Sequence, residues 1–338
     1  MKRNTSRLSV GLAALLAAAA FVPGLPAAET AYLGDPVPAD FDAVFVRGLA
    51  WLAKTQTEDG TWEDARQNDG IAALALLAML AHGDDPNAGP WSMHVRRTIH
   101  FILSRQNAGN GYIGSSMYNH GFCTLALAEA YGHVEDTRIG PALRRAVELI
   151  LSSQARNPLK AWRYTPESQD ADTTVSGAQM VALFAARNAG ITVPDSAIED
   201  GVAYYRRSQN GDGGFAYSNE GGGRDVSPAR SAIGALVFGL ARDKQTRNLK
   251  AAFNGLTSAS ADAGNDTHLF YYLYYAAQAY FQASPPDWRE WNAANFRRLA
   301  ATQAEDGGWS GDQGRTFSTA CALLSMGVSY RFLPIYER

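Results

Sequence analysis

The chain has 338 residues, with 30 Lys and Arg against 33 Asp and Glu (net charge −3), 46% hydrophobic residues and only two cysteines. That balance excludes a disordered tail, a collagen-like fibre and a disulfide scaffold, and it offers no basic face for nucleic acid. Length alone leaves open one large core or two medium ones.

The first element is a basic start, Met1-Lys2-Arg3, followed by an apolar stretch over residues 8–22 and the small, turn-forming run Pro23-Gly24-Leu25-Pro26-Ala27-Ala28. This is the layout of a secretory signal, too short for a comfortable membrane span. We expect residues 1–28 to be removed, 29–40 to be a linker and 41–338 to form one domain. Removal takes away Lys2, Arg3 and Arg7 and leaves 27 basic against 33 acidic residues, a net −6. No later stretch approaches the length of a membrane span, so the expectation is an exported protein with no integral span.

From residue 41 onward one motif recurs: a Gln, a short run rich in Asp, Asn and Gly, and an aromatic six positions after the Gln. It appears as Gln56 to Trp62, Gln106 to Tyr112, Gln209 to Phe215 and Gln303 to Trp309, with a copy two residues longer from Gln154 to Trp162. Successive Gln residues are 50, 48, 55 and 94 apart, the last interval close to two periods. A sixth, degenerate copy therefore belongs near residue 256, where Asn254-Gly255 is expected to end a helix. Periods of this size signal stacked supersecondary units.

Each unit places a helix with one charged face before the Gln, as at 41–55 and 288–302. A nearly all-apolar helix follows the aromatic, near 70–82, 121–132, 174–189, 229–240, 268–281 and 318–330. An amphipathic helix alternating with an apolar one implies an outer and a buried inner helix. Six such hairpins close into an all-α (α/α)6 toroid. The Gln amide is expected to satisfy orphan carbonyls where the outer helix ends, and the aromatic to pack at the turn. Cys123 and Cys321 fall 17 and 18 residues after their Gln, on non-neighbouring inner helices two and six, so two free buried thiols are expected.

The Gln-(Asp/Gly)-Gly-aromatic repeat resembles the prenyltransferase/squalene oxidase repeat of squalene and oxidosqualene cyclases and of protein prenyltransferase β subunits. The resemblance runs from about residue 41 to 330, with 303–309 its most specific copy. It implies the α/α toroid of that superfamily, the squalene–hopene type being nearest in motif. Those cyclases carry Asp-x-Asp-Asp-Thr, whose middle acid protonates an alkene. The matching stretch here is Asp170-Ala171-Asp172-Thr173-Thr174, which makes Asp172 the candidate acid and Asp170 its partner. Thr173 replaces the third Asp, and such cyclases resemble two rings where this chain has residues for one. The structural alternative is that Asp172 or Thr173 caps the inner helix.

The prenyltransferase resemblance implies zinc held by Asp, Cys and His. His120 with Cys123, and Asp266 with His268, are the candidates, but their order does not reproduce the family's, so no metal and no cofactor are assigned. A complement-type thioester is excluded, because Ala126 and Leu324 stand three residues after the cysteines where Gln is required.

The repeat register gathers the inner-helix starts at one mouth, displaying Asp69, His120, Asp172, Asp225, Asp266 with His268, and Thr316/Ser318. Helix dipoles explain several acids there as caps; their convergence also makes an acidic funnel over an aromatic cavity. Tyr271, Tyr274, Tyr275 and Gln278 share one helix face. Their rings can stabilise a carbocation or fill the barrel, and the density of hydroxyls favours filling. Three functions follow: transformation or binding of an isoprenoid or other apolar small molecule, with Asp172 as acid; a non-catalytic binding or scaffold role with an unidentified partner; and carbohydrate chemistry on an (α/α)6 barrel, using Asp69, Asp172 and Asp266 as carboxylate candidates.

Overall fold

The structure, a computed structural model, describes residues 39–65, 68–218, 226–242, 246–260 and 268–336. The expected signal and most of the linker lie outside these residues, as do Asp225 and Asp266. Among the described residues there are twelve α-helices and no strands; two isolated bridges, Gln106 with Ile113 and Gln209 with Phe215, tie the ends of two motif turns.

The outer helices are α1 (Ala39–Thr55), α3 (Ser92–Ser104), α5 (Ile139–Arg156), α7 (Asp195–Ser208), α9 (Thr246–Ser260) and α11 (Pro285–Thr302). The inner ones are α2 (Asp69–Ala81), α4 (Met117–Ala130), α6 (Thr173–Asn188), α8 (Pro228–Leu240), α10 (Leu269–Ala283) and α12 (Arg315–Gly327). Burial follows the sequence pattern. In α3 the buried residues are Val95, Thr98, Ile99 and Ile102, one stripe at spacings of three and four, whereas every residue of α2 is buried. The inner helices pack in a closed circuit, α2 on α4, α6, α8, α10, α12 and back to α2. The fold is an (α/α)6 toroid.

The Gln of each motif fastens outer helices to one another. In most copies its amide donates to a carbonyl of its own turn and to one on the next outer helix: Gln106 to Gly111 (3.1 Å) and Ala142 (2.9 Å), Gln154 to Lys160 (3.1 Å) and Ala197 (2.9 Å); Gln56 instead gives both bonds to α3, at the His94 carbonyl (3.1 Å) and the Thr98 hydroxyl (2.9 Å). Gln303 closes the ring, reaching Gly307 and, on α1, Val44, both at 2.9 Å. These acceptors differ from the expected ones: the amide takes carbonyls of the turn and of the N-terminal half of a neighbouring outer helix, not the orphan carbonyls at the end of its own. The motif Trp residues donate to a carbonyl four residues before the Gln, Trp62 to Leu52, Trp162 to Ile150 and Trp309 to Leu299, at 2.9–3.0 Å. Gly307 shows why the turn carries glycine. Its φ is +97°, and a Cβ would lie 2.4 Å from the carbonyl oxygen of Arg47.

Several boundaries differ from expectation: α12 lies three residues earlier than 318–330, α11 starts three residues before 288, and two further differences have a clear cause. Helix α9 runs through Asn254-Gly255 to Ser260, because with no Gln/aromatic turn nothing there stops it. Helix α4 begins at Met117, since the Ser116 hydroxyl accepts the Asn119 N–H and caps it four residues early. Cys123 and Cys321 are free and buried, on α4 and α12, which pack against α2 rather than each other. Burial pushes both thiols well up, so they are not thiolate nucleophiles. No helix among the described residues is long and apolar enough to cross a membrane.

Candidate functional site

Short side chains cap the inner helices where they converge. Asp172 caps α6: its Oδ1 accepts the N–H groups of Thr174 (2.9 Å) and Val175 (2.8 Å) and the Thr174 hydroxyl (2.7 Å). Ser227 caps α8 by accepting the Arg230 N–H. Two caps cross between repeats. Asn119 accepts the Gly70 N–H at 3.1 Å, and Asp64 accepts the N–H (3.0 Å) and hydroxyl (2.6 Å) of Thr316 on α12.

Inside this rim lies a cavity of about 380 Å³, walled by the rings of Tyr118, Phe122, Tyr164, Tyr217, Tyr271 and Phe317. Between the rings stand the polar side chains of Asn68, Ser116, Thr174, Ser227, Arg230, His268 and Gln313. The Tyr164 and Tyr217 hydroxyls share a hydrogen bond of 2.6 Å. Arg163 lies over both rings, at 5.2 and 5.4 Å, and Arg230 is 5.9 Å from the Tyr217 ring. The Tyr118 hydroxyl donates to Thr174, whose own hydroxyl donates to Asp172.

Asp172 is wholly buried behind Thr174. Desolvation raises its pKa, opposed by the Val175 and Thr174 hydrogen bonds and by Arg163. Its Oδ2 accepts no hydrogen bond and stands 3.7 Å from Arg163 Nε. Asp170 turns outward, half exposed, and pairs with Arg163 at 2.9 Å. The two acids of the motif therefore meet through one arginine rather than side by side.

The remaining expected residues separate. Asp69 is buried at the start of α2, raised by desolvation and held against that by Arg105 at 3.1 Å. His120 does not belong to the cavity wall. Its Nδ1 accepts the Ile113 N–H (3.1 Å), its Nε2 donates to the Ala146 carbonyl (3.0 Å), and burial lowers its pKa to about 4. It is a neutral tie to α5. Cys123 points its thiol at the Asp69 carbonyl, and no group of three or more His, Cys, Asp and Glu able to hold a metal occurs among the described residues. Tyr271 and His268 line the cavity; Tyr274 and Tyr275 are buried and are not part of its wall.

Tyr118, Tyr164, Tyr217, Arg163 and Asp64 went unread in the sequence. A signal existed: the position two after the motif aromatic holds Asp64, Tyr164 and Tyr217 in three repeats, and in each it aims a side chain at the mouth.

No family model and no curated protein matches the chain. Solved structures do. An inactive variant of the α-1,6-mannanase GH76A of Salegentibacter sp. HEL1_6, with two consecutive aspartates replaced and α-1,6-mannotriose bound, is similar at a TM-score of 0.67 and 12% identity, covering 87% of this chain and 100% of that one. A glycoside hydrolase family 76 mannosidase of Bacteroides thetaiotaomicron VPI-5482 gives 0.65 and 10%, covering 86% and 98%. The type II terpene cyclase MstE of Scytonema, bound to its product merosterolic acid A, gives 0.59 and 16%, covering 87% and 98%. At such identities the likeness establishes the toroid and nothing finer.

Proposed function

We propose that the mouth cavity is a saccharide-binding site and that the chain is an exported, carbohydrate-directed toroid, with residues 1–28 its signal and 41–338 its single domain. The observation that carries this reading is the make-up of the wall. Flat ring faces suit the apolar faces of a sugar, and the hydroxyl, amide, imidazole and guanidinium groups between them suit its hydroxyl edge. The likeness to mannanases, one of them holding α-1,6-mannotriose, supports the same direction.

The described wall carries no carboxylate, so the paired acids of glycoside hydrolysis are not among it. The one place where this sequence has two adjacent aspartates, Asp84-Asp85, follows α2 at the opposite end of the ring, where Asp84 pairs with His82 at 2.7 Å. Of the carboxylates the sequence offers for hydrolysis, Asp69 and Asp172 are buried outside this wall, and Asp266 lies outside the described residues. Calorimetric titration of the full chain with a panel of manno-, gluco- and galacto-oligosaccharides that includes α-1,6-mannotriose tests the reading. One saturable site is expected, weakened at least tenfold in Tyr217→Ala. Binding of geranylgeraniol together with silence across the panel would overturn it.

Asp172 favours a second reading, that of an acid acting on an isoprenoid-like substrate. A buried carboxyl whose proton is favoured by desolvation, with one oxygen outside any hydrogen bond, resembles a proton donor, and it stands at the middle position of the cyclase-like motif. Asn is also a good cap, so Asp172→Asn leaves the fold intact. Under this reading turnover of a geranylgeranyl substrate disappears in Asp172→Asn; turnover that persists removes Asp172 from the chemistry.

A further inference from the structure

We infer that the mouth is a blind well that grips its ligand by one end, so that a bound saccharide inserts its terminal units and projects the rest into solvent. The identity of the ligand rests on the saccharide reading above. The shape of the well rests on two separate pieces of geometry.

The first is the stop beneath the cavity. Its wall reaches down to Phe122 and Tyr271. Directly behind them the Tyr274 and Tyr275 rings lie 4.6 Å apart and crossed at 66°. Tyr275 stands 5.0 Å from Tyr271, and Tyr274 stands 6.3 Å from Phe122. Edge-to-face rings at these spacings pack as tightly as any core and leave no passage along the barrel axis.

The second is a floor across the far end of the ring. After α12 the segment Arg331–Tyr336 turns back over the C-terminal ends of the inner helices. Arg331 lies 5.1 Å over the Phe281 ring of α10, and Phe332 lies against Gly83 just past α2, where a Cβ would come within 2.1 Å of it. Asn188 of α6 donates to the Pro334 carbonyl at 3.2 Å. The Ile335 N–H donates to the buried Glu129 carboxylate of α4 at 3.3 Å, and the Tyr336 hydroxyl to the Leu324 carbonyl of α12 at 3.4 Å. One short stretch thus touches five of the six inner helices, with Leu333, Ile335 and Tyr336 buried. None of it repeats elsewhere in the chain.

A tunnel lets a polymer thread through, and an open groove lets it lie across. A well of about 380 Å³, at the low end of the roughly 300–1,000 Å³ of small-molecule sites, admits only a chain end. Phe122 and Tyr271 then decide how many units fit.

The test titrates the full chain with α-1,6-linked manno-oligosaccharides of one to six units, and with the tetramer carrying a bulky tag at either terminus. Affinity is expected to rise over the first units and then change by less than about twofold per added unit. A tag at one terminus should abolish binding, and the same tag at the other should leave it nearly unchanged. Affinity that climbs with every unit, or tolerance of the tag at both termini, overturns the well. Phe122→Ala, which deepens the stop, should move the plateau one unit longer; a residue with only a structural role would weaken all lengths alike. If the sugars fail to bind while prenols from geraniol to geranylgeraniol bind with a plateau in length, the well stands and the saccharide reading falls. Silence in both series overturns both.

Discussion

The two ends of the inner ring differ in how they are made. The mouth is assembled by the repeats: three of the turns deliver Asp64, Tyr164 and Tyr217 in the same register, and rings such as Tyr164, 42% exposed, stand half in water with their hydroxyls engaged. The far end is bridged once, by the single-copy segment at 331–336, in which Tyr336 is 2% exposed. A repeat end can vary its loops without disturbing the packing below, whereas the floor holds five helices together and has no second copy. On the proposed function, ligand binding falls to the mouth and stability to the floor.

The sharpest way to break that contrast is to empty both ends. Tyr336→Ala removes a buried ring and should cost about 3–5 kcal/mol in urea denaturation, the usual cost of truncating a large core aromatic. Tyr217→Ala should cost less than about 1 kcal/mol while weakening ligand binding. Equal losses would erase the distinction. An effect of intermediate size comes from His120, which ties α4 to α5. Its folded pKa, about 4, lies below its ordinary 6.5, so the unfolded chain takes up the proton first. Its contribution is fully present above pH 6.5 and is lost as pH falls towards 4, on the order of 3 kcal/mol in all. His120→Gln should flatten that slope, and an unchanged slope would mean that other groups set it. Asp172 acts with the opposite sign. Its raised pKa means that acidification relieves a buried charge, so its own contribution improves as pH falls through the folded value towards 3.8. The smallest effect is its cap: Asp172→Ala should cost about 1 kcal/mol and Asp172→Asn close to nothing, read as thermal midpoints. If Asn destabilises as much as Ala, the carboxylate does more at the mouth than cap a helix.

The toroid was legible because its signals are periodic. Gln, Gly and an aromatic at nearly constant spacing identify the turns, and the same register separates Cys123 from Cys321. The contacts that cross between repeats left no such trace. Nothing in the sequence around Gln303 says that its amide reaches Val44, or around Asp64 that it caps α12, because both depend on ring closure. The mouth was half readable. Tyr271 follows from the aromatic run in α10, but Tyr274 and Tyr275 share its face and serve as filling, since position along the barrel axis, not helical face, decides which ring meets the cavity. His120 stood in register with the caps, yet its imidazole turns to the Ala146 carbonyl. The floor has no periodicity at all, and residues 331–336 carry no motif that would announce it.

The measurement that bears most directly on the account is a crystal structure of the chain soaked with α-1,6-mannotriose. The account predicts sugar density between Tyr118, Tyr217 and Tyr271, with one terminal unit against Phe122 and the other end of the trisaccharide in solvent. Sugar lying across the outer face, or passing the level of Tyr274 and Tyr275, would contradict it.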